Sequence, residues 1–154
     1  MKLHILAVGQ VRKGPERHLV DDYLDRLEKT GRNLGLRGIS EHEVASGGGT
    51  DAEAERLLSR VPEGSNLVML DERGQQIPSR DLAKLVGRQR DDGVADMCFL
   101  IGGAEGHGEA IRRAAGLKLG FGPQTWPHKL VRVMLAEQLY RAATLMAGTP
   151  YHKD

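Results

Sequence analysis

The sequence predicts an α/β protein in which a mostly parallel sheet carries helices on both faces. Along all 154 residues, short apolar segments alternate with segments whose apolar residues recur at helical spacing. The apolar segments are continuous, which is typical of strands that are buried on both faces. Because neighbouring parallel strands need helical crossovers, both observations favour the same architecture. No repeat or linker interrupts the pattern, so residues 1–154 are predicted to form one domain.

The pattern begins with a strand and a helix. Residues 2–8 are predicted to form the first strand, which Gly9 closes. Residues 15–30 are predicted to form a helix, because Pro15 suits a first helical turn and Gly31 ends the periodic pattern. The residues expected to face the sheet are Leu19, Tyr23, Leu24 and Leu27.

A weaker strand over residues 34–44 leads to a helix over residues 50–61, opened by a capping box of Thr50 and Glu53. Residues 47–52, between these elements, have the form G-x-G-x-x-A of dinucleotide-binding loops. The strand before them is polar and is not the first strand, so a flexible connection is the favoured interpretation. A nucleotide-binding oxidoreductase is the alternative.

Two further strands and a helix follow. Residues 67–70 are predicted to form a short buried strand, and residues 71–74 a turn directly after it. A helix is predicted over residues 79–90. Residues 97–101 form the most apolar strand of the chain and contain the only cysteine, Cys98. A buried thiol and a reducing, cytoplasmic location are therefore expected.

The chain is predicted to finish with a short helix over residues 109–115, a short strand over 117–121 and a long helix over 128–147. Apolar side chains cover most of the circumference of the long helix, so it must be buried on several sides. We expect one of these sides to meet a second subunit in a homodimer. A helix enclosed within one subunit is the alternative.

Charge is nearly balanced overall, at +1, but it is unevenly distributed. Residues 100–154 contain 7 Lys and Arg against 4 Asp and Glu, whereas residues 1–99 contain 15 against 17. A phosphate-bearing partner would therefore be drawn to the C-terminal third. No cluster of Cys and His has metal-binding spacing, and no apolar run suits a membrane helix or a signal peptide, so neither a metal nor a membrane is expected.

The loops after the last three strands are the predicted ligand site. Ligands of parallel sheets bind beyond the carboxyl ends of the strands, and here these loops follow Leu70, Ile101 and Phe121. The loop at residues 102–108 contains four glycines, which allow the backbone to approach a ligand closely. The loop at residues 122–127 contains the only tryptophan, which is expected either to stack on an adenine or to plug the core.

Together these segments resemble the RlmH-type ribosomal RNA large-subunit methyltransferases of the SPOUT superfamily. The matching motifs are MKLHILAVG at residues 1–9, FLIGGAEG at 99–106, TWPHKLVRV at 125–133, EQLYRA at 137–142 and PYHK at 150–153. The resemblance spans the whole chain. It implies a C-terminal trefoil knot, an obligate homodimer and S-adenosylmethionine as cofactor.

The resemblance also implies an activity, N3-methylation of a pseudouridine in 23S rRNA within an assembled ribosome. A ribosome-assembly protein that binds RNA without catalysis is a further alternative. The positions implied to contact the cofactor are Leu70, Gly102, Phe121, Gly122, Pro123, Gln124, Thr125 and Trp126.

Four residues are the candidates for catalysis. The N3 proton of the target must leave, and His152 and His128 are candidate bases. Arg132 is a candidate for stabilising the anion, with a salt bridge at a dimer interface as the alternative. Tyr151 is a candidate for stacking on the target base, with a frayed terminus as the alternative for the whole tail.

Overall fold

The computed structural model describes residues 1–154 and contains one five-stranded sheet in which all neighbouring strands are parallel. The strands, in chain order, are β1 (Lys2–Val8), β2 (Ile39–Val44), β3 (Asn66–Gln75), β4 (Asp96–Ile101) and β5 (Leu117–Leu119). Their spatial order is β2-β1-β4-β3-β5. The predicted α/β class is confirmed.

Five helices cover the two faces of the sheet. They are α1 (Pro15–Gly31), α2 (Thr50–Leu58), α3 (Ser79–Asp91), α4 (Glu109–Ala114) and α5 (His128–Ala147). Helices α1, α3 and α5 pack together on one face, and α2 and α4 pack on the other. None of the helices combines the length and the apolar composition that crossing a membrane requires.

The side chains of the central strands alternate between two hydrophobic cores. On β4, Phe99 belongs to the core beneath α1, α3 and α5, whereas Cys98 and Leu100 belong to the core beneath α2 and α4. Burial raises the pKa of the Cys98 thiol, so this cysteine is an inert core residue, as the sequence predicted.

The β3 segment differs most from the sequence prediction. The strand was expected to end before a turn at residues 71–74, but it runs on to Gln75. Its pairing with β5 shifts, because Leu70 and Gln75 both lie opposite Leu119. Residues between these two positions therefore lie across the end of β5. Glycines at 74 and 120 make this possible, since a Cβ on Gly74 would lie 2.6 Å from the Leu119 carbonyl carbon.

Smaller differences occur in the first half of the chain. β2 begins at Ile39, because residues 32–34 form a 3-10 turn that ends at Gly35 in the left-handed conformation, with φ of 76°. The predicted capping box is wrong: Gly49 is the residue before α2, and no side chain caps the helix. The Glu53 carboxylate instead accepts a hydrogen bond from the Gly47 amide at 2.9 Å.

The apolar stripe of α1 is also rotated from its predicted position. Leu19, which was expected to face the sheet, is 41% exposed, and its neighbour Val20 is fully buried. Val20 and Leu27 are seven residues apart and face the core together. Leu19 therefore lies on the outer surface, where it is one of three large exposed apolar side chains; the others are Trp126 and Leu130.

Candidate active site

One cavity of about 490 Å³ lies where the carboxyl ends of β3, β4 and β5 meet. This volume is within the usual range for a small-molecule site, about 300–1,000 Å³. The cavity is lined by the three strand-end loops and the start of α5: Leu70, Asp71, Glu72, Arg73, Ile101, Gly102, Gly103, Ala104, Glu105, Gly106, His107, Arg112, Leu119, Phe121, Gly122, Gln124, Thr125, Trp126, His128 and Val131. The three loops therefore meet at one cavity, as the sequence analysis expected of their positions.

The structure brings together nearly all the positions predicted to contact a cofactor. The lining residues among them are Leu70, Gly102, Phe121, Gly122, Gln124, Thr125 and Trp126. Pro123 is exposed and does not line the cavity. Of the four predicted catalytic residues, only His128 lines it.

Polarity within the cavity changes from its inner wall to its mouth. The inner wall is buried and includes Leu70, Ile101 and Leu119. The mouth is exposed and carries charges of both signs, including Glu72, Arg73 and Glu105. The site therefore offers an apolar surface to one part of a ligand and ionic partners to another.

The glycine-rich loop after β4 forms a tight turn against the cavity. The Gly106 amide donates a hydrogen bond to the Gly103 carbonyl at 3.0 Å. A Cβ on Gly102 would lie 2.9 Å from the backbone of Gly106, so a side chain at residue 102 would force the turn open. The two halves of the loop backbone therefore pack against each other at the cavity wall.

An ion pair between Asp71 and Arg112 joins two sides of the cavity, with a distance of 3.0 Å between Oδ2 and Nη1. Burial alone would raise the pKa of Asp71, but the Arg73 amide and Arg112 outweigh it and lower this pKa. The sequence did not predict this ion pair, because residues 71–74 were expected to form a turn. The one sequence feature that pointed to Asp71 is its position directly after a predicted strand.

His107 is a buried member of the cavity wall, with 8% of its surface exposed. Its Nε2–H donates to the Leu100 carbonyl at 3.1 Å, and Nδ1 has no hydrogen-bond partner. Burial lowers the pKa of the imidazole, and the hydrogen bond to Leu100 opposes this only partly. His107 is therefore neutral at pH 7.

This neutral His107 makes stability depend on pH. Because its pKa is lowered on folding, the unfolded chain binds more protons, and stability falls as pH drops below the ordinary histidine pKa of about 6.5. We expect His107→Leu to lose less unfolding free energy than the wild type between about pH 7.5 and about pH 5.5. Urea unfolding at both values measures this, and equal losses in the two proteins would contradict it.

The loop before α5 presents the ring of Trp126 at the surface. The indole N–H donates to the Phe121 carbonyl at 3.2 Å, and 37% of the residue is exposed. Thr125 Oγ1 lies 3.4 Å from Glu72 Oε2, which links this loop to β3. Trp126 is thus not a core residue, and its ring lines the mouth of the cavity.

Arg132 lies outside the cavity in a buried ionic network. It is 3% exposed and contacts Glu41 at 2.8 Å, Glu43 and the Gly9 carbonyl at 3.1 Å. Arg17 contacts Glu41 from α1 at 2.6 Å. The network ties α5 to the sheet edge within one subunit, so the guanidinium of Arg132 is not free to meet a substrate.

The C-terminal tail folds back onto α5, away from the cavity. Tyr151 donates its hydroxyl to Glu137 at 3.0 Å, and its ring packs on Tyr140 with 4.7 Å between centroids. His152 Nδ1 lies 3.2 Å from Arg141, and Nε2 lies 3.1 Å from Asp154. The tail is therefore anchored by specific contacts and is not frayed.

The glycine-rich loop at residues 47–49 does not line the cavity. Glu53 accepts from the Gly47 amide, and Arg56 donates to the carbonyls of Ala45 and Gly47. The amide and the carbonyl of Gly47 are thus engaged within the protein. The structure favours the flexible connection over a phosphate-binding loop.

The close crossing of residues 71–75 over β5 shapes the cavity wall. S-adenosylmethionine is the cofactor that the resemblance implies. We expect Gly74→Ala to weaken its binding by about tenfold or more, because the added Cβ would meet the backbone of Leu119 and Gly120 at 2.6 and 2.7 Å. Gly116→Ala is the matched control, since its nearest neighbour would be the Leu67 carbonyl at 3.8 Å. Calorimetric titration measures the affinity of both variants for S-adenosylmethionine, and equal affinities would contradict the prediction.

A wholly parallel sheet with helices on both faces and a cavity at the carboxyl ends of its strands defines an α/β protein of the class that binds ligands at this end of the sheet. A model of the family described as "Predicted SPOUT methyltransferase" matches residues 1–152. The chain therefore belongs to the SPOUT methyltransferase family.

Two relatives of high sequence identity support this assignment over the full length. The chain is 58% identical over 153 residues to "Ribosomal RNA large subunit methyltransferase H" of Hyphomonas neptunium, with 99% of each chain covered. It is 50% identical over 159 residues to the protein of the same name from Nitrobacter winogradskyi, again with 99% of each covered. Among solved structures, a SAM-bound putative methyltransferase of Legionella pneumophila has a TM-score of 0.46 and 13% identity, with 90% of this chain and 65% of that chain covered.

Proposed function

We propose that this protein transfers a methyl group from S-adenosylmethionine to N3 of a pseudouridine in 23S rRNA of the large ribosomal subunit, on assembled ribosomes. The observation that carries the proposal is the single cavity to which all three predicted loops contribute. The relatives that are 58% and 50% identical are named as methyltransferases of ribosomal RNA, and these names supply the substrate class. Such an enzyme would work in the cytoplasm, where ribosomes are.

The residues of the cavity fit this cofactor. The buried apolar wall suits an adenosine moiety, and the mouth offers both acidic and basic partners for the zwitterionic methionine end. Glu72 and Glu105 are the exposed acidic partners, whereas Arg73 is the exposed basic one. When bound, the sulfonium supplies an electrophilic methyl group.

His128 is the proposed base for the N3 proton. It occupies the first turn of α5, is exposed and lines the mouth of the cavity. A base must be within reach of the proton that it removes, and within one subunit only His128 among the predicted catalytic residues meets this condition. Arg132 is proposed to position α5, and the tail to position Glu137, without contacting the target.

A homodimer is part of the proposal. Leu19 and Leu130, 41% and 39% exposed, lie near the starts of α1 and α5, which pack against each other. Trp126 extends this apolar surface by its position two residues before α5. Burial of such a surface against a second copy would remove it from water. A C-terminal trefoil knot is also part of the proposal, and it rests on membership of the SPOUT methyltransferase family.

The dimer makes a direct prediction. Leu19→Glu together with Leu130→Glu should shift the protein from dimer to monomer, because burying two unpaired carboxylates costs several kcal/mol. The control is Lys29→Glu, on the exposed side of α1. Leu24 is not suitable as a control, because its side chain packs against the core. Analytical ultracentrifugation gives the mass; a doubly substituted protein that stays dimeric would contradict the proposed surface.

The function is tested by methyl transfer from tritium-labelled S-adenosylmethionine. The substrates are assembled ribosomes, isolated large subunits and naked 23S rRNA from a strain that lacks this gene. We expect label on assembled ribosomes, at N3 of one pseudouridine. Ribosome binding without transfer would instead support the non-catalytic assembly protein, and transfer to a different nucleotide would overturn the proposed target.

A further inference from the structure

The outward face of α3 carries three cations at a spacing of four residues. Arg80, Lys84 and Arg88 are all exposed, and a spacing of four places them along one side of the helix. All three line a groove between α3 and α5. The wall of the groove is completed by small and apolar residues: Ala83, Gly87, Leu145 and Met146.

The cations of this groove are less neutralised than those on α1. There, Arg26 pairs with Asp22 and Lys29 with Asp25, at 3.1 and 2.6 Å. Helix α3 differs, because Arg88 makes no ion pair.

The carboxylates near the groove balance only part of its positive charge. Lys84 has only the exposed carboxylate of Asp81, at 3.3 Å. Asp91, the acidic residue of the groove itself, is held by Arg90 at 2.9 Å. The groove therefore retains net positive charge.

An anionic group already occupies one end of the groove. Asp154, the last residue, forms two parallel hydrogen bonds with Arg80, from Nε at 2.8 Å and from Nη2 at 2.7 Å. This forked geometry is the one in which arginine also binds phosphate. Because both side chains are largely exposed, the pair contributes little stability and can be exchanged.

A hollow lined by Ser79, the residue before Arg80, lies between the groove and the cofactor cavity. Ser79, the first residue of α3, donates its hydroxyl to Gln138 at 2.7 Å. Gln138 lines the same hollow, together with Phe121 and Gly122, which also line the cofactor cavity. A nucleic acid strand that leaves the cavity on this side would therefore meet Arg80 first.

We propose that the α3 groove binds phosphates of the RNA substrate, with Arg80, Lys84 and Arg88 as the contacts and the Asp154 carboxylate as an internal stand-in that RNA displaces. The inference rests on the proposed function, since it takes rRNA as the substrate. It adds a binding surface outside the cofactor cavity.

The test is equilibrium binding of the purified protein to ribosomes over a range of salt concentrations. Lys84→Gln with Arg88→Gln should weaken binding by about tenfold and lower the slope of log affinity against log salt by about 1.4–1.8, which corresponds to two lost phosphate contacts. Asp154→Asn should strengthen binding. Arg26→Gln with Lys29→Gln removes the same charge from α1 and should leave the slope unchanged.

Two outcomes would overturn the proposal. One is an unchanged slope in the α3 double variant, and the other is an equal loss in the α1 control, which would show that only net charge matters. S-adenosylmethionine affinity, measured on the same proteins, should be identical in all of them and verifies folding. A wild type that neither binds ribosomes nor methylates rRNA would refute the proposed function itself, whereas methylation with an unchanged α3 slope would refute only the groove.

Discussion

His128→Gln is expected to lower kcat for methyl transfer by about 100-fold or more, since a positioned general base typically contributes about 10²–10⁴ in rate. The N3 proton has to leave as the new bond to the methyl carbon forms, and His128 is the imidazole at the mouth of the cavity. Glutamine keeps the size and polarity of the side chain but cannot accept the proton. Single-turnover methylation of ribosomes separates this chemical step from product release.

The control for this variant is His18→Gln, an exposed histidine on α1 that lies outside the cavity. It should retain wild-type kcat. S-adenosylmethionine affinity should be unchanged in both variants, because the proposed role of His128 concerns the target base. A His128→Gln enzyme with wild-type kcat would exclude this residue as the base.

Arg132→Met is expected to lower the free energy of unfolding by about 3 kcal/mol, the low end of the cost of removing one partner of a buried ion pair. Burial alone would raise the pKa of Glu41, but hydrogen bonds from Arg17 and Arg132 outweigh it and keep this pKa low. Without Arg132, the remaining cation near Glu43 would be Arg17 at 3.8 Å, although the Val11 amide would still donate to Glu43 at 2.7 Å. Chemical denaturation measures the loss.

Two further variants show whether unpaired charge is the cause. Arg132→Met with Glu43→Gln should recover part of the lost stability, because the variant removes one uncompensated carboxylate. Arg26→Met, at an exposed pair on α1, should leave the free energy of unfolding nearly unchanged. If the double variant were less stable than Arg132→Met alone, the role assigned to this network would be wrong.

Much of the fold could be predicted because its signals are local. Continuous apolar strands and helical periodicity gave the parallel sheet, and α5 begins and ends where its flanking Pro127 and Gly148 predict. The β3 extension could not be found in this way. Its path depends on contact between Gly74 and the β5 segment, and such a contact between distant residues leaves no periodic signal.

The parts of the site that lie at strand ends could be predicted from the sequence. The parts that depend on contacts between distant residues could not. The loops that contain Leu70, Gly102 and Trp126 could be placed at one edge of the sheet from the strand ends, whereas the individual positions were implied by the family resemblance. Arg132 is different, because its partners Glu41 and Glu43 lie about 90 residues away on the edge strand. Sequence spacing alone cannot distinguish an arginine held by such a network from one that is free to bind a substrate.

Titration of the purified protein with S-adenosylmethionine in a calorimeter tests the central claim most directly. We expect saturable binding that Gly74→Ala weakens and Gly116→Ala preserves, because the three strand-end loops would form one pocket around the cofactor. Absence of measurable binding to the folded wild-type protein would contradict this account.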